Sequence, residues 1–171
     1  MTAVPDVDAY FRRIGYSGPA APTLDVLHGL LAAHTTRVPF ENLDVLLGLA
    51  ISLEPDAIQQ KLVVDGRGGY CFEQNGYLLL VLQTLGFDVT PLSARVRLQR
   101  PRDMTPPRTH LFLRVQIDGV PWMADVGIGS MSLTSAIRLD VEGPQPTRHE
   151  TRRIIREAGR FFHQARLGDE W

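Results

Sequence analysis

A thiol, an imidazole and a carboxylate in this sequence are spaced so that they could act on one another. Cys71 is the only cysteine of 171 residues and sits in the stretch RGGYCFEQNG, residues 67–76. A thiol attacks only as the thiolate, and its ordinary pKa of about 8.5 leaves little of that form at neutral pH. A glycine-rich turn running into an apolar helical stretch predicts Cys71 in the first turn of a helix, where free amides and the helix dipole favour an anion. A base is also readable. His110 opens one predicted strand, Asp125 closes the next, and Asp118-Gly119 between them is a hairpin turn signal. Counting outward from that turn brings His110 and Asp125 roughly opposite each other, so the carboxylate can orient the imidazole beside a cysteine nucleophile. Blander readings compete. A lone cysteine is ordinarily buried packing, Thr-His at a strand start is ordinarily polar surface, and Asp before glycine is ordinarily turn chemistry. On the residues alone, Cys71 stands evenly between packed thiol and nucleophile. His28, His34, His149 and His163 have no comparable placement and read as surface or capping residues. No pair of histidines or acids has metal-ligand spacing, and one cysteine cannot build a thiolate cluster.

The elements that must hold these groups fall into two halves. Val7, Tyr10, Phe11 and Ile14 form one apolar helix face, and SGPAAP then breaks the chain. Thr23 can cap a second helix striped by Leu24, Leu27, Leu30 and Leu31, which should end near 34–37 because Pro39 biases Val38 away from helical dihedrals. PFENLDVLLG is mixed, and Glu54-Pro55-Asp56 opens a short helix reaching about Val64. From Cys71 to Leu85 the pattern is helical, with Gly86 as the C′ residue. Beyond it lie strand patterns at Phe87–Leu98, Thr109–Ile117, Val120–Asp125, His149–Ile155 and Phe161–Leu167, with the loop QRPRDMTPPR between the first two. Helices first and strands second predict an α+β fold. The expected organisation is a helical bundle over residues 1–86 carrying Cys71, then an antiparallel, β-barrel-like domain over 87–171 carrying His110 and Asp125, with Cys, His and Asp arranged as in cysteine peptidases. The strands stop without a closing element, so the β domain reads as truncated.

Bulk properties narrow the function classes. A net charge of −1 gives no electrostatic case for nucleic acid or an anionic membrane. No apolar run approaches the roughly 20 residues of a membrane helix, and MTAVPDVDAYFRRIGY has no apolar signal-peptide core. A single cysteine suits a reducing compartment, so a cytoplasmic protein is expected.

Four blocks, RVPFENLDVL (37–46), RGGYCFEQN (67–75), THLFLRV (109–115) and ADVGIG (124–129), resemble the arylamine N-acetyltransferases, in the family's order and across essentially the whole chain. The resemblance implies a ping-pong reaction with acetyl-CoA as co-substrate and no permanently bound cofactor. Cys71 would take the acetyl group as a thioester, His110 would be its base and Asp125 the orienter, and aromatic amines or hydrazines would be the acceptors, as in xenobiotic metabolism. By the same carry-over, Arg67 and Glu41 form structural support. Tyr70 and Phe72 line an acceptor slot, with plain packing as the alternative, and Phe40 is read as core. Pro106, Pro107 and Thr109 lie where the family brings pantetheine to the cysteine. Gly127, Ile128 and Gly129 form the loop beside substrate and CoA. The backbone N–H of Cys71 is the first candidate oxyanion donor. Two departures stand out. Ile128 replaces the family's aromatic residue and Ser130 a glycine, and the family's C-terminal lid region is not represented. A site without that lid is expected to accept acetyl but transfer it poorly and leak it to water. Another Cys-His-Asp acyltransferase or hydrolase, and a non-catalytic CoA-binding domain, are the competing readings.

Overall fold

A computed structural model describes residues 4–98, 100, 101 and 103–171. Residues 1–3, and Gln99 and Arg102 of the predicted loop, lie outside the described residues. Helices come first: α1 Val7–Ile14, α2 Leu24–Arg37, α3 Leu43–Leu46, α4 Pro55–Gln59 running into a π-helical turn at Gln60–Val64, and α5 Cys71–Thr84. Asp6 caps α1 by accepting from Ala9 N, and Thr23 caps α2 by accepting from Val26 N, as side-chain oxygens at these positions do for orphan amides. One sheet then forms from β1 Asp88–Ala94, β2 His110–Ile117, β3 Val120–Ala124 and β4 Ile137–Arg138 in that spatial order. A second holds β5 Gly143–Pro146, β6 Thr151–Glu157 and β7 Arg160–Ala165.

Helix α5 is the axis of the packing. Tyr77, Leu78, Val81 and Leu82 are fully buried and share one core cluster with Tyr10, Ile14, Leu27, Leu30 and Leu31 on one side and Leu113 and Val115 of β2 on the other. A helix enclosed from both sides needs apolar residues around most of its circumference, which is why α5 has no polar stripe. Burial on this scale, at about 25 cal/mol per Å² of apolar surface, fixes β2 against α5 and so fixes where His110 begins relative to Cys71.

The sheets do not close into the expected barrel. Edge strands β4 and β5 are joined by a side chain: Arg138 N donates to Gln145 Oε1 at 2.7 Å, and Gln145 Nε2 donates to Arg138 O at 2.9 Å. Pro144 and Pro146 flank Gln145 in β5 and have no N–H for a further ladder, so a backbone seam cannot form there. Both predicted hairpins form, with Ile117 opposite Val120 and Glu157 opposite Arg160. Their two-residue turns place Asp118-Gly119 and Ala158-Gly159 at positive φ, the conformation that matches strand twist.

His34, expected at the surface or at a cap, is fully buried instead. Its Nε2 faces Gln74 Oε1 at 3.1 Å and its Nδ1 faces the Tyr10 hydroxyl at 2.8 Å. The amide oxygen can only accept, so Nε2 carries the proton and Tyr10 donates to Nδ1. The apolar stripe of α2 could not reveal this, because the partners come from α1 and α5. Burial pushes the His34 pKa down to about 4, against the pull of Gln74. A folded pKa below the ordinary value of about 6.5 means the unfolded chain binds the proton first, so stability is complete above about 6.5 and is lost as pH falls toward 4. The loss is on the order of 3 kcal/mol. Urea titrations from pH 7 to 4 should therefore give a shallower pH slope for His34→Gln than for the wild type. Equal slopes would remove His34 from the acid response.

Candidate active site

The site is built at the first turn of α5, where three consecutive polar residues are buried and each reaches a different neighbour. Glu73 Oε2 accepts from Tyr70 N at 2.9 Å, tying down the residue before the helix. Gln74 Nε2 donates to Gly69 O at 2.5 Å and Pro39 O at 3.2 Å, clamping the two approach segments together. Their crossing is tight: a Cβ on Gly68 would lie 2.0 Å from Pro39 O, so only glycine fits. Asn75 Nδ2 donates to Leu111 O at 2.7 Å and to Asp125 Oδ1 at 2.9 Å, while its Oδ1 accepts from Val126 N at 3.0 Å.

Cys71 begins α5 and is 7% exposed, and its Sγ lies 3.6 Å from Thr109 O. His110 and Asp125 come from the open end of the β2–β3 hairpin and are both buried, with Nε2 and Oδ2 2.6 Å apart. Gly127 N donates to Asp125 Oδ1 at 3.1 Å. Both carboxyl oxygens of Asp125 thus meet donors, so neither is buried without a partner. Burial disfavours the His110 imidazolium, but the hydrogen bond to Asp125 and the contact with Cys71 outweigh it, raising the pKa to about 9. With Nε2 held by Asp125, Nδ1 is the ring nitrogen left for the thiol. The result is an imidazole with a raised pKa beside a sulfur at the N-terminus of a helix. A Cβ on Gly127 would stand 2.7 Å from both Cys71 Cα and Asn75 Nδ2, so the loop after Asp125 can pass Cys71 only without a side chain.

The predicted supports meet in one charged chain. Arg67 Nη2 reaches Glu41 Oε1 and Asp44 Oδ1, both at 2.7 Å, and Lys61 Nζ reaches Asp44 Oδ2 and Glu73 Oε1, both at 2.7 Å. Asp44 is held below the usual carboxylate range by Lys61 first and Arg67 second. The chain ends on Glu73, so it steadies the residue that anchors Tyr70. Lys61, Asp44, Glu73, Gln74 and Asn75 were not singled out from the sequence. The last three lie within the RGGYCFEQN block, where polar residues on a helix otherwise apolar are the available signal.

The remaining candidates form the rim. Tyr70 and Phe72 are half-buried with ring centroids 5.6 Å apart. Phe40, read as core, is 45% exposed and lies against Gly129, because the Phe40–Gly69 bridge holds it at the surface beside the loop. Ile128 N donates to Ser132 Oγ at 3.2 Å, and Gly129–Met131 forms a 3₁₀ turn, leaving Ser130 exposed. Pro106, Pro107 and Thr109 line a cavity of about 630 Å³ together with Val96, Leu98 and Met104. Among the described residues there is no group of three or more His, Cys, Asp or Glu side chains able to hold a metal ion, and no helix long and apolar enough to cross a membrane.

The N-acetyltransferase family model matches residues 23–171. Arylamine N-acetyltransferase of Escherichia coli K12 is 44% identical over 167 residues, covering 98% of this chain and 56% of that protein. The Mycobacterium tuberculosis H37Rv protein of the same name is 44% identical over 170 residues, covering 97% of this chain and 60% of its own length. The chain therefore spans less than two thirds of these relatives. The solved structure of the M. tuberculosis arylamine N-acetyltransferase superposes with a TM-score of 0.92 at 45% identity, covering 97% of this chain and 62% of that one. The Mycobacterium marinum arylamine N-acetyltransferase in complex with CoA gives 0.91 at 41% identity, with the same coverages. Its mixed helical and antiparallel-sheet architecture is the one described above.

Removing either support of the imidazole should slow Cys71. Asp125→Asn and Asn75→Ala are each expected to reduce iodoacetamide alkylation near pH 7 by about tenfold or more. Asn75→Ala should also cost roughly 2 kcal/mol in urea unfolding, since Val126 N and Asp125 Oδ1 lose buried partners. Because the folded His110 pKa is raised, its stabilising contribution is complete below about pH 6.5 and is lost as pH rises through 9; Asp125→Asn should flatten that alkaline limb. Wild-type alkylation rates in both variants would break the link between Asp125 and the thiol.

Proposed function

The chain belongs to the arylamine N-acetyltransferase family, and from that premise we propose that it moves the acetyl group of acetyl-CoA through Cys71 to the nitrogen of an aromatic amine or hydrazine. The observation that carries this reading is the buried His110–Asp125 pair, 2.6 Å apart, beside a cysteine at a helix start. In the first half-reaction the Cys71 thiolate attacks the acetyl carbonyl carbon, the carbon–sulfur bond to CoA breaks, and CoA leaves as the thiol with the proton held by His110. In the second, the acceptor nitrogen attacks the Cys71 thioester, its proton passes to His110, and Cys71 is expelled as thiolate. An aromatic amine is largely unprotonated at neutral pH, so it needs an imidazole only to collect its proton during attack. The backbone N–H of Cys71 precedes the first intrahelical bonds of α5 and supports an oxyanion role.

The rim suggests how the two substrates divide the site. The cavity along Val96, Leu98, Met104, Pro106, Pro107 and Thr109 opens on Thr109, whose carbonyl touches Cys71 Sγ, so a pantetheine arm lying there would deliver its thioester to the sulfur. Tyr70, Phe72, Phe40 and Ile128 offer flat or apolar surface for an aromatic acceptor. Ile128 supplies volume without a ring face, which favours acceptors held by shape over those held by stacking. The chain needs no resident cofactor for these steps, and a cytoplasmic location would give it both acetyl-CoA and a reduced thiol. Arg67 and Glu41 act through the helix start, not on substrate.

Intact mass after exposure to acetyl-CoA tests the first half-reaction. One acetyl group is expected on the wild type and none on Cys71→Ala, with the adduct discharged by an aromatic hydrazine and the acetyl hydrazide recovered. No adduct, or an adduct that survives the Cys71→Ala change, would reject the assignment.

A further inference from the structure

The second sheet reaches the loop beside Cys71 through Arg152 of β6, an arginine that is only 2% exposed. Its Nε and Nη2 both donate to Glu150 Oε1, and Nη2 also donates to Met131 O at 3.0 Å. Met131 closes the 3₁₀ turn Gly129–Met131, the crown of the loop between β3 and β4. The foot of that loop is firmly tied. Val126 N donates to Asn75 Oδ1, Gly127 N to Asp125 Oδ1, and Leu133 N to Asp125 O at 2.7 Å. Leu133 is also buried with Met123, Ile137 and Ile154. The crown is bonded mainly to itself, through Ile128 N to Ser132 Oγ and Ser132 N to Gly129 O. Among the described residues, the hydrogen bond that ties it to another element is the one from Arg152. Gly129 lies against Phe40 and Gly127 against Cys71, so a shift of the crown moves Ile128 and Gly129 relative to both. Docking the sheet does not by itself call for an arginine here. Ile154 and Leu133 already pack the two together, and an enclosed ion pair contributes little net stability over apolar side chains of the same volume. What a guanidinium adds is direction, because its planar fork holds acceptors in fixed geometry.

We propose that Arg152 is a positioning residue for the acceptor: by clamping Met131 it holds Ile128 and Gly129 beside Phe40, and so favours acceptors that carry a ring. The proposal rests on the acetyl-transfer reading above, because it assigns this wall to the second half-reaction. Acetyl loading uses Cys71, His110 and the cavity along Pro106, Pro107 and Thr109, none of which bonds to Arg152. Discharge by an aromatic hydrazine needs the ring held while its nitrogen attacks the thioester, and a displaced wall removes that orientation. Hydrazine itself has no ring to hold and reaches the thioester without the wall.

Arg152→Met removes the clamp while filling the buried path, and Glu150→Gln keeps an acceptor oxygen for the guanidinium. On acetylated protein, discharge by phenylhydrazine should be about tenfold slower in Arg152→Met, through a higher half-saturating concentration. In Glu150→Gln it should stay within about twofold of the wild type. Discharge by hydrazine, acetyl loading and iodoacetamide alkylation should stay within about twofold in both variants. Arg152→Lys keeps the charge and loses the fork, so it should lose about threefold with phenylhydrazine alone; it carries the comparison if Arg152→Met does not fold. In the unacetylated protein, the Ile128 and Ser132 amides should exchange hydrogen about tenfold faster in Arg152→Met, with Val126 unchanged. The proposal is overturned by equal losses with the two nucleophiles, by unchanged phenylhydrazine discharge, by the same loss in Glu150→Gln, or by wild-type exchange at Ile128 and Ser132. Failure of the wild type to take up acetyl rejects the acetyl-transfer reading and the acceptor role with it, while the exchange rates judge the clamp separately.

Discussion

The buried carboxylate of Asp125 is the constraint around which the rest of this molecule is arranged. An ionised acid removed from water must have its oxygens met by donors, or it takes up a proton and can no longer orient a base. Here Oδ2 meets His110 Nε2, and Oδ1 meets the Asn75 amide and Gly127 N. Each donor comes from a different place in the fold: the start of β2, the first turns of α5 and the loop after β3. Satisfying one carboxylate therefore docks the helical half onto the sheet at the point where Cys71 begins its helix.

The helix start is equally constrained from below. Glu73, Gln74 and Asn75 would each destabilise a buried helix if left unpaired, yet each is a bridge. Glu73 links Tyr70 to Lys61, Gln74 links His34 to the crossing of residues 39 and 69, and Asn75 links Leu111 to Asp125. The ion pairs continue through Asp44 to Arg67 and Glu41. Enclosed charges of this kind contribute little net stability compared with apolar packing, but breaking one partner leaves the others exposed to their full desolvation cost. They specify the position of the first helical turn, and the apolar body of α5 supplies the burial that holds it.

Local patterns in the chain were legible wherever the causes are local. The faces of α1 and α2, the Thr23 cap, the Cys71 helix start and both hairpins follow from periodicity, capping and turn chemistry. The roles of His34 and Phe40 were misread because both depend on neighbours distant in the chain. His34 on an amphipathic helix looks like a polar residue at the edge of the stripe until Tyr10 and Gln74 arrive. Phe40 looks like core until its bridge to Gly69 places it beside Gly129. The expected barrel failed for a reason visible only in pairing: prolines at 144 and 146 leave Gln145 to make the seam with its side chain.

The amino-acid sequence by itself determined the order of helices and strands, a cysteine at a helix start, and a histidine and an aspartate at the open end of one hairpin. Each follows from interactions spanning a few residues, and the four family blocks pointed to the chemistry proposed for those groups. Tertiary structure alone decided that the His110 pKa would be raised beside Cys71, that Asn75 would orient Asp125, and that the sheets would stay open. Those outcomes depend on desolvation and on hydrogen bonds between residues tens of positions apart, and no local pattern encodes how much water a side chain keeps.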